Sequence, residues 1–215
     1  MGTPLDPRTT QTAEVIDRLS EAYPDATISL DFSTRFELLV AVVLSAQCTD
    51  ERVNKITPEL FAEFPTPDAF AQADPETVAE RINSCTYYNN KAEYLVGIGE
   101  ILTEEYDGEV PATMDGLTAL PGVGRKTSNV VLQHAHDTTE GIVVDTHVQR
   151  LSQRLGLTEE TNPEKIEADL MDLVPESDWK PVTHWLIAHG RAVCTAQSPS
   201  CEECLLADIC PAERE

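Results

Sequence analysis

The sequence predicts an all-α fold, on three observations. Helix-opening and helix-ending signals recur along its 215 residues. The long apolar run from Phe36 to Leu44 has no alternating segment to pair with, and the one β-branched run, Ile142-Val143-Val144, is three residues long. In chain order, Val15, Ile16 and Leu19 share one face of a first helix that Pro24 ends. Phe36 to Leu44 is almost wholly apolar, as befits a central helix surrounded by others and the core of the larger domain. Thr57-Pro58, Asp74-Pro75 and Asn162-Pro163 each place a capping side chain before a proline at the first helical position, and each is expected to open a short helix. Further helices are expected over Tyr88 to Glu105, Arg125 to His136, His147 to Leu155 with Gly156 as its stop, and Trp179 to His189 with Gly190 as its stop. No repeat or low-complexity segment interrupts this pattern.

Composition narrows the function classes. No apolar run approaches the ~20 residues that span a bilayer, and the amino end has no basic head before an apolar stretch, so a cytoplasmic protein without a membrane partner is expected. In such a reducing compartment Cys48 and Cys85, far apart in helical contexts, are expected as small buried residues without a disulfide. The charge is strongly acidic, 38 Asp and Glu against 15 Lys and Arg, net -23. Taken alone this argues against a nucleic-acid partner. The distribution weakens that objection, because residues 121–156 hold Arg125, Lys126, Arg150 and Arg154 against Asp137, Glu140 and Asp145 only. So many carboxylates with so few lysines resemble proteins from a salt-saturated cytoplasm, and a halophilic source is expected; at molar salt the Debye length falls to about 3 Å and surface carboxylates scarcely repel a polyanion.

Two segments carry chemistry. The chain closes on Cys194, Cys201, Cys204 and Cys210, four thiols within seventeen residues that can converge on one centre, either an iron–sulfur cluster or zinc. His134, His136, His184 and His189 show no metal spacing to them and are read as structural. The second segment is Leu120-Pro-Gly-Val-Gly-Arg-Lys-Thr127. Two glycines one residue apart permit a tight turn and close approach of a ligand, and the following helix offers unpaired amides at its positive end, a seat for an anion. A plain helix–helix turn is the alternative, with Lys126 a solvated helix residue and Asp145 only a cap. Lys126 directly after the turn, and Asp145 with His147 at a helix entrance nineteen residues later, favour a phosphate seat whose amine reaches the adjoining sugar.

These residues resemble the helix-hairpin-helix of the endonuclease III family. Leu44-Ser-Ala-Gln-Cys-Thr-Asp50, Tyr88-Asn-Asn-Lys-Ala92, Val144-Asp-Thr-His-Val148, His184-Trp-Leu-Ile-Ala-His-Gly-Arg191 and the four cysteines follow the family's order and spacing, so the match covers about residues 12 to 210. The resemblance implies two helical domains, a six-helix barrel over residues 28–138 and a discontinuous cluster domain of 1–27 with 139–215, with DNA across the groove between them. It makes Lys126 the nucleophile and Asp145 its helper, and puts Gly122, Gly124, Arg125, Thr127, Gln47, Tyr87 and His147 against the DNA. Tyr87 departs from the aliphatic residue that the family usually has there, after a glycine. Cys194, Cys201, Cys204 and Cys210 match the ligand pattern of a structural [4Fe–4S] cluster. The loop Thr195-Ala-Gln-Ser-Pro-Ser200 lacks the basic residues that the family commonly carries between the first two ligands.

The activity implied is that of a monomeric, bifunctional DNA glycosylase and apurinic/apyrimidinic lyase acting on oxidised pyrimidines in double-stranded DNA. An amine attacking the sugar gives a Schiff base, whose acidified neighbouring carbon permits β-elimination of the strand, and helix amides with partial burial of Lys126 are expected to favour the neutral amine. Asp145 is expected chiefly to stabilise the cationic sugar and move protons. Mismatch-specific thymine and adenine glycosylases on the same scaffold, and a non-catalytic iron–sulfur DNA-binding module, are the alternatives. Lys126 argues against the first two, which typically lack it, and Lys126 with Asp145 argues against the third.

Overall fold

The computed structural model describes residues 7–212, and among these all regular structure is helical, with no strand. In chain order the α-helices are α1 (Pro7–Ala22), α2 (Arg35–Ser45), α3 (Asp50–Glu63), α4 (Pro67–Ala71), α5 (Pro75–Arg81), α6 (Tyr88–Glu105), α7 (Met114–Thr118), α8 (Arg125–Ala135), α9 (Thr146–Arg154), α10 (Pro163–Leu173) and α11 (Trp179–Ala192). The chain divides into two compact units: Ser29 to Glu140, and the residues before Ser29 together with those from Gly141 on. No helix among the described residues is long and apolar enough to cross a membrane.

The unit from Ser29 to Glu140 is built around α2. Thr34 Oγ1 accepts the Glu37 amide at 3.1 Å while Glu37 Oε2 accepts the Ser33 amide at 2.6 Å, so the helix entrance satisfies its own donors from both sides. Phe36 and every residue from Leu38 to Leu44 are buried, because α3, α6 and α8 all pack on α2. That is why the segment shows no polar face in the sequence. Phe70 of α4 meets Phe36 edge-on with ring centroids 5.6 Å apart. Helix α6 turns the face of Ala92, Leu95, Val96, Ile98, Gly99 and Leu102 inward, where α4 lies so close that a Cβ on Gly99 would sit 2.6 Å from the Pro67 carbonyl oxygen.

One expected helix start is displaced. Pro58 does not open a helix; it lies inside α3, which begins eight residues earlier, at Asp50, with Thr49 Oγ1 accepting the Arg52 amide. Asp50 and Glu51 in the first turn favour that earlier start through the helix dipole, and Thr57 is buried instead of capping. Asp74 and Asn162 do cap helices with proline at their start, and Thr66-Pro67 does the same for α4.

The second unit packs α1 against α10 and α11, and α9 against both of the latter. Its core joins Val15, Ile16 and Leu19 to Val148, Leu151, Leu170, Leu186 and Leu206. Polar ties fasten α1 to the tail: Gln11 Nε2 donates to Leu155 O at 2.7 Å and Ile209 O at 3.0 Å, and Arg18 forks onto both carboxylate oxygens of Asp208 at 2.6 and 2.9 Å. Ile142, Val143 and Val144 are buried without forming a strand; Thr183 Oγ1 donates to the Val143 carbonyl at 3.2 Å. Gly156, at φ +68, stops α9 as expected. Gly190 does not stop α11, which continues to Ala192. A Cβ there would lie 3.0 Å from both Arg150 Nη2 and His147 Nδ1, so this glycine serves close approach of α9, not termination.

Candidate active site and cysteine centre

The turn before α8 is closed by the Val123 amide donating to the Leu120 carbonyl at 3.2 Å. Gly122 is required twice over: its φ is +71, and a Cβ would stand 2.4 Å from the Tyr94 ring. Gly124 is different. Its backbone is extended, at φ -99 and ψ 176, and a Cβ would meet nothing within 4 Å. The fold does not need a glycine there, and the side facing outward is open to something that approaches the backbone. Gly124 is also the N-cap of α8 and provides no side-chain acceptor for the first-turn amides. Helix α8 buries Ser128, Asn129, Val131, Leu132 and Gln133, and this face leaves Arg125 and Lys126 exposed and Thr127 half-buried. The expected partial burial of Lys126 is therefore not met: a first-turn position on the outer face of α8 leaves its side chain in solvent.

Two other turns of the same unit carry Gln47 and Tyr87. Both residues are exposed, Tyr87 at 62 %, and both sit in the left-handed region, at φ 54 and φ 56. A non-glycine residue held there costs on the order of 1–3 kcal/mol and persists where surrounding structure imposes it. What imposes it is buried beside them. Lys91, only 4 % exposed, donates from Nζ to Leu44 O at 2.8 Å and Ala46 O at 2.7 Å, tying α6 to the carbonyl end of α2. Burial pulls its pKa below the ordinary lysine value. Next to it the sulfurs of Cys48 and Cys85 lie 3.4 Å apart, one in each turn. The reading of these two cysteines as distant residues in helices is overturned: both fall in turns, and the packing of α3 and α6 on α2, with α5 against α3 and α6, brings the turns together.

In the other unit Asp145 caps α9. Its Oδ1 accepts the amides of His147 and Val148, each at 2.8 Å, and this leaves Oδ2 outside the cap. His147 is half-buried, with Nδ1 3.1 Å from Arg150 Nη2. Burial lowers its pKa, and Arg150 and Arg191 add to this against the opposing charge of Asp145. Arg150 also donates to Gly190 O at 3.0 Å and to Cys194 O, bracing α9 against α11. Near Asp145, burial and Lys180 bring the His184 pKa down to about 4, so this imidazole is neutral at neutral pH.

Cys194, Cys201, Cys204 and Cys210 line one cavity of about 960 Å³, with His189, Arg154 and Leu206 among its other walls. Cys204 Sγ lies 3.3 Å from His189 Nε2, whose Nδ1 is 3.1 Å from Tyr23 Oη. Arg154 reaches the first ligand loop, with Nη1 3.3 Å from Cys194 Sγ and 2.8 Å from Thr195 O, and Nη2 3.1 Å from Ala196 O. A guanidinium from α9 thus supports a loop that has no basic residue of its own.

Residues 40–176 match the family of HhH-GPD superfamily base excision DNA repair proteins, and residues 194–210 match the iron–sulfur binding domain of endonuclease III. Endonuclease III of Synechocystis is 53 % identical over 198 residues, covering 92 % of this chain and 90 % of the relative; that of Escherichia coli K12 is 44 % identical over 197 residues, covering 92 % and 93 %. The chain belongs to the endonuclease III family. It is therefore a base-excision DNA repair protein with an iron–sulfur cluster. A solved endonuclease III–DNA covalent intermediate, trapped as an estranged-adenine complex, superposes with a TM-score of 0.90 at 40 % identity, covering 98 % of this chain and 97 % of the other. A thermostable thymine-DNA glycosylase shares the fold at TM-score 0.82 and 20 % identity.

The endonuclease III cluster suits the cysteine geometry. Burial raises the Cys204 pKa, and the charges of Cys194, Cys210 and Cys201 raise it further against the Leu206 amide, so the four thiolates need a cationic centre to coexist. They ring one cavity, and a multi-iron cluster would give each thiolate its own iron there.

Lys91, Arg154 and the Cys48–Cys85 pair were missed by sequence reasoning. Lys91 had a signal, since it lies on the apolar stripe that α6 buries, where a charge is out of place without a partner. Arg154 and the cysteine pair had none, because their partners are 37 or more residues away in the chain.

Proposed function

We propose that the chain is a bifunctional DNA glycosylase and apurinic/apyrimidinic lyase that removes oxidised pyrimidines from double-stranded DNA. The observation that carries this reading is the exposed amine of Lys126 in the first turn of α8, immediately after a hairpin whose Gly124 keeps an open outward side. The Gly122–Thr127 segment receives a DNA phosphate on its backbone amides, and Arg125 adds charge. The Lys126 amine attacks the anomeric carbon of an extruded nucleotide, the carbon–base bond breaks, and a Schiff base forms. The carbon next to the iminium loses a proton and the 3′-phosphate leaves, cutting the strand. Because Lys126 is exposed, the desolvation that strengthens these interactions comes from the bound DNA.

Asp145 stabilises the positive charge that develops on the sugar, through the oxygen that the cap does not use. Gln47, Tyr87 and His147 face the DNA, with Gln47 and Tyr87 occupying the stack that the extruded base leaves. Cys194, Cys201, Cys204 and Cys210 hold the [4Fe–4S] cluster, which fastens the tail to the end of α11. The unit from Ser29 to Glu140 is the barrel domain and the remainder the cluster domain. The protein acts as a monomer in a salt-rich cytoplasm.

Borohydride trapping on abasic-site DNA tests the assignment. Lys126→Ala should form no trapped adduct while folding normally, since alanine suits an exposed helix position. Asp145→Asn preserves the capping bonds, because asparagine caps as well as aspartate, and should keep DNA binding while losing most turnover. A trapped adduct with the alanine variant would overturn the nucleophile.

A further inference from the structure

We propose that Cys48 and Cys85 are a reversible redox modification site, a dithiol that a hydroperoxide converts to a disulfide linking the Gln47 and Tyr87 turns. Four observations converge on it. The sulfurs are 3.4 Å apart without a bond, and a disulfide requires closure by about 1.4 Å, to roughly 2.0 Å. The two cysteines differ in access: Cys48 is half-buried and reachable, whereas Cys85 is 2 % exposed. Both lie in turns, which yield to such a closure more readily than helix interiors do. Lys91, whose ammonium grips the carbonyls of Leu44 and Ala46, places positive charge beside the pair.

The order of events follows from the burial. Cys48 attacks the peroxide; an S–O bond forms, the O–O bond breaks and one water leaves, giving a sulfenic acid. The Cys85 sulfur then attacks Cys48 Sγ; the S–S bond forms, the S–O bond breaks and a second water carries away the Cys85 proton. The sulfurs lose two electrons and the peroxide gains two. In the reduced protein Cys85 is a poor nucleophile, its pKa pushed up to about 12 by burial first, then by its hydrogen bond with Cys48 and by the Cys48 charge, against Lys91 and Arg52. Burial, the largest of these causes, persists throughout, so the accessible Cys48 meets the peroxide first and the buried Cys85 is the resolving sulfur. A dithiol reductant reverses the bond by exchange at the more accessible sulfur.

The consequence rests on the reading of Gln47 and Tyr87 as DNA-facing. Gln47 directly follows nothing but Ala46, which Lys91 holds, and it precedes Cys48; Tyr87 is two residues beyond Cys85; both backbones are at positive φ. Pulling the sulfurs together changes the strained torsions on either side and fixes the two turns before DNA arrives. Oxidation is thereby coupled to lower activity on damaged DNA.

The test uses the cluster-containing protein, with visible absorbance followed to confirm that the cluster survives the treatment. Hydrogen peroxide should yield a Cys48–Cys85 linked peptide on mapping after alkylation, and dithiothreitol should abolish it. Cys48→Ser and Cys85→Ala should yield none. Adduct trapping on abasic-site DNA should fall several-fold in oxidised wild type, return on reduction, and stay unchanged by peroxide in Cys48→Ser. Free thiols at both positions, or sulfinic acid at Cys48 without the linked peptide, would overturn the site. A linked peptide with undiminished trapping would overturn its control of the turns. Failure of the glycosylase/lyase reading is seen separately, as a reduced protein that traps no DNA at all.

Discussion

The two hairpin glycines look alike in the sequence, yet they answer to different causes. Gly122 is held by the fold: a side chain would have to adopt positive φ and displace the Tyr94 ring. Gly124 is not held by it, since any residue adopts its backbone angles and its Cβ direction is empty. Gly122→Ala should therefore lower the free energy of unfolding by about 1–3 kcal/mol, the range for strain at a special torsion. Gly124→Ala should leave denaturant midpoints unchanged and weaken binding to abasic-site DNA, because the added methyl occupies the space that a phosphate backbone would enter. Equal loss of stability in both variants would mean that Gly124 is structural. At this scale the sequence made the glycines and Lys126 legible through local spacing. It could not reveal that Lys126 is exposed, which depends on which face of α8 the rest of the unit covers.

Helices were legible where their signals are local. Asp74 and Asn162 cap the helices expected of them, and α6 has the bounds expected for it, because caps, proline and apolar periodicity act within one or two turns. Pro58 and Gly190 misled for the same reason. Their local preference to start or stop a helix is overridden, in one case by the earlier start at Thr49 with Asp50 and Glu51 in its first turn and in the other by α9 packing against α11. The join between α2 and α6 was not legible, although it sets the geometry of the Gln47 and Tyr87 turns. Lys91→Met keeps the apolar bulk of the side chain and removes the ammonium from the carbonyls of Leu44 and Ala46. Hydrogen bonds to a charged group contribute about 1.5–3 kcal/mol, so a stability loss of that order is expected in chemical denaturation. Amide exchange should quicken most in the Gln47 turn. A variant as stable as wild type, with unchanged exchange there, would show that packing alone holds the turn.

Across the whole chain the dominant fact is a net charge of -23, and its effect depends on the medium. In dilute buffer the excess carboxylates repel one another and repel DNA, and self-repulsion on this scale destabilises the compact state. The ion pairs described, such as Arg81 with Glu63 and Lys55 with Glu51, are exposed and individually contribute little against it. At about 1 M salt the Debye length is near 3 Å, so the repulsion is screened while the buried cores and the caps are affected far less. Thermal midpoints should thus rise steadily with KCl before any general salting-out effect. DNA affinity should respond differently from stability. Counterion release scales with the number of phosphates neutralised by cations, and the loop from Thr195 to Ser200 brings none, its nearby guanidinium from Arg154 being engaged with loop carbonyls. The slope of log affinity against log salt should therefore be shallower than for a relative with a basic loop. Restoring two lysines in that loop, for example by Gln197→Lys with Ser198→Lys, should steepen it by about 0.9 per added phosphate contact. A thermal midpoint indifferent to KCl would remove the case for adaptation to salt, and a slope unchanged by the lysines would show that the loop lies away from the DNA.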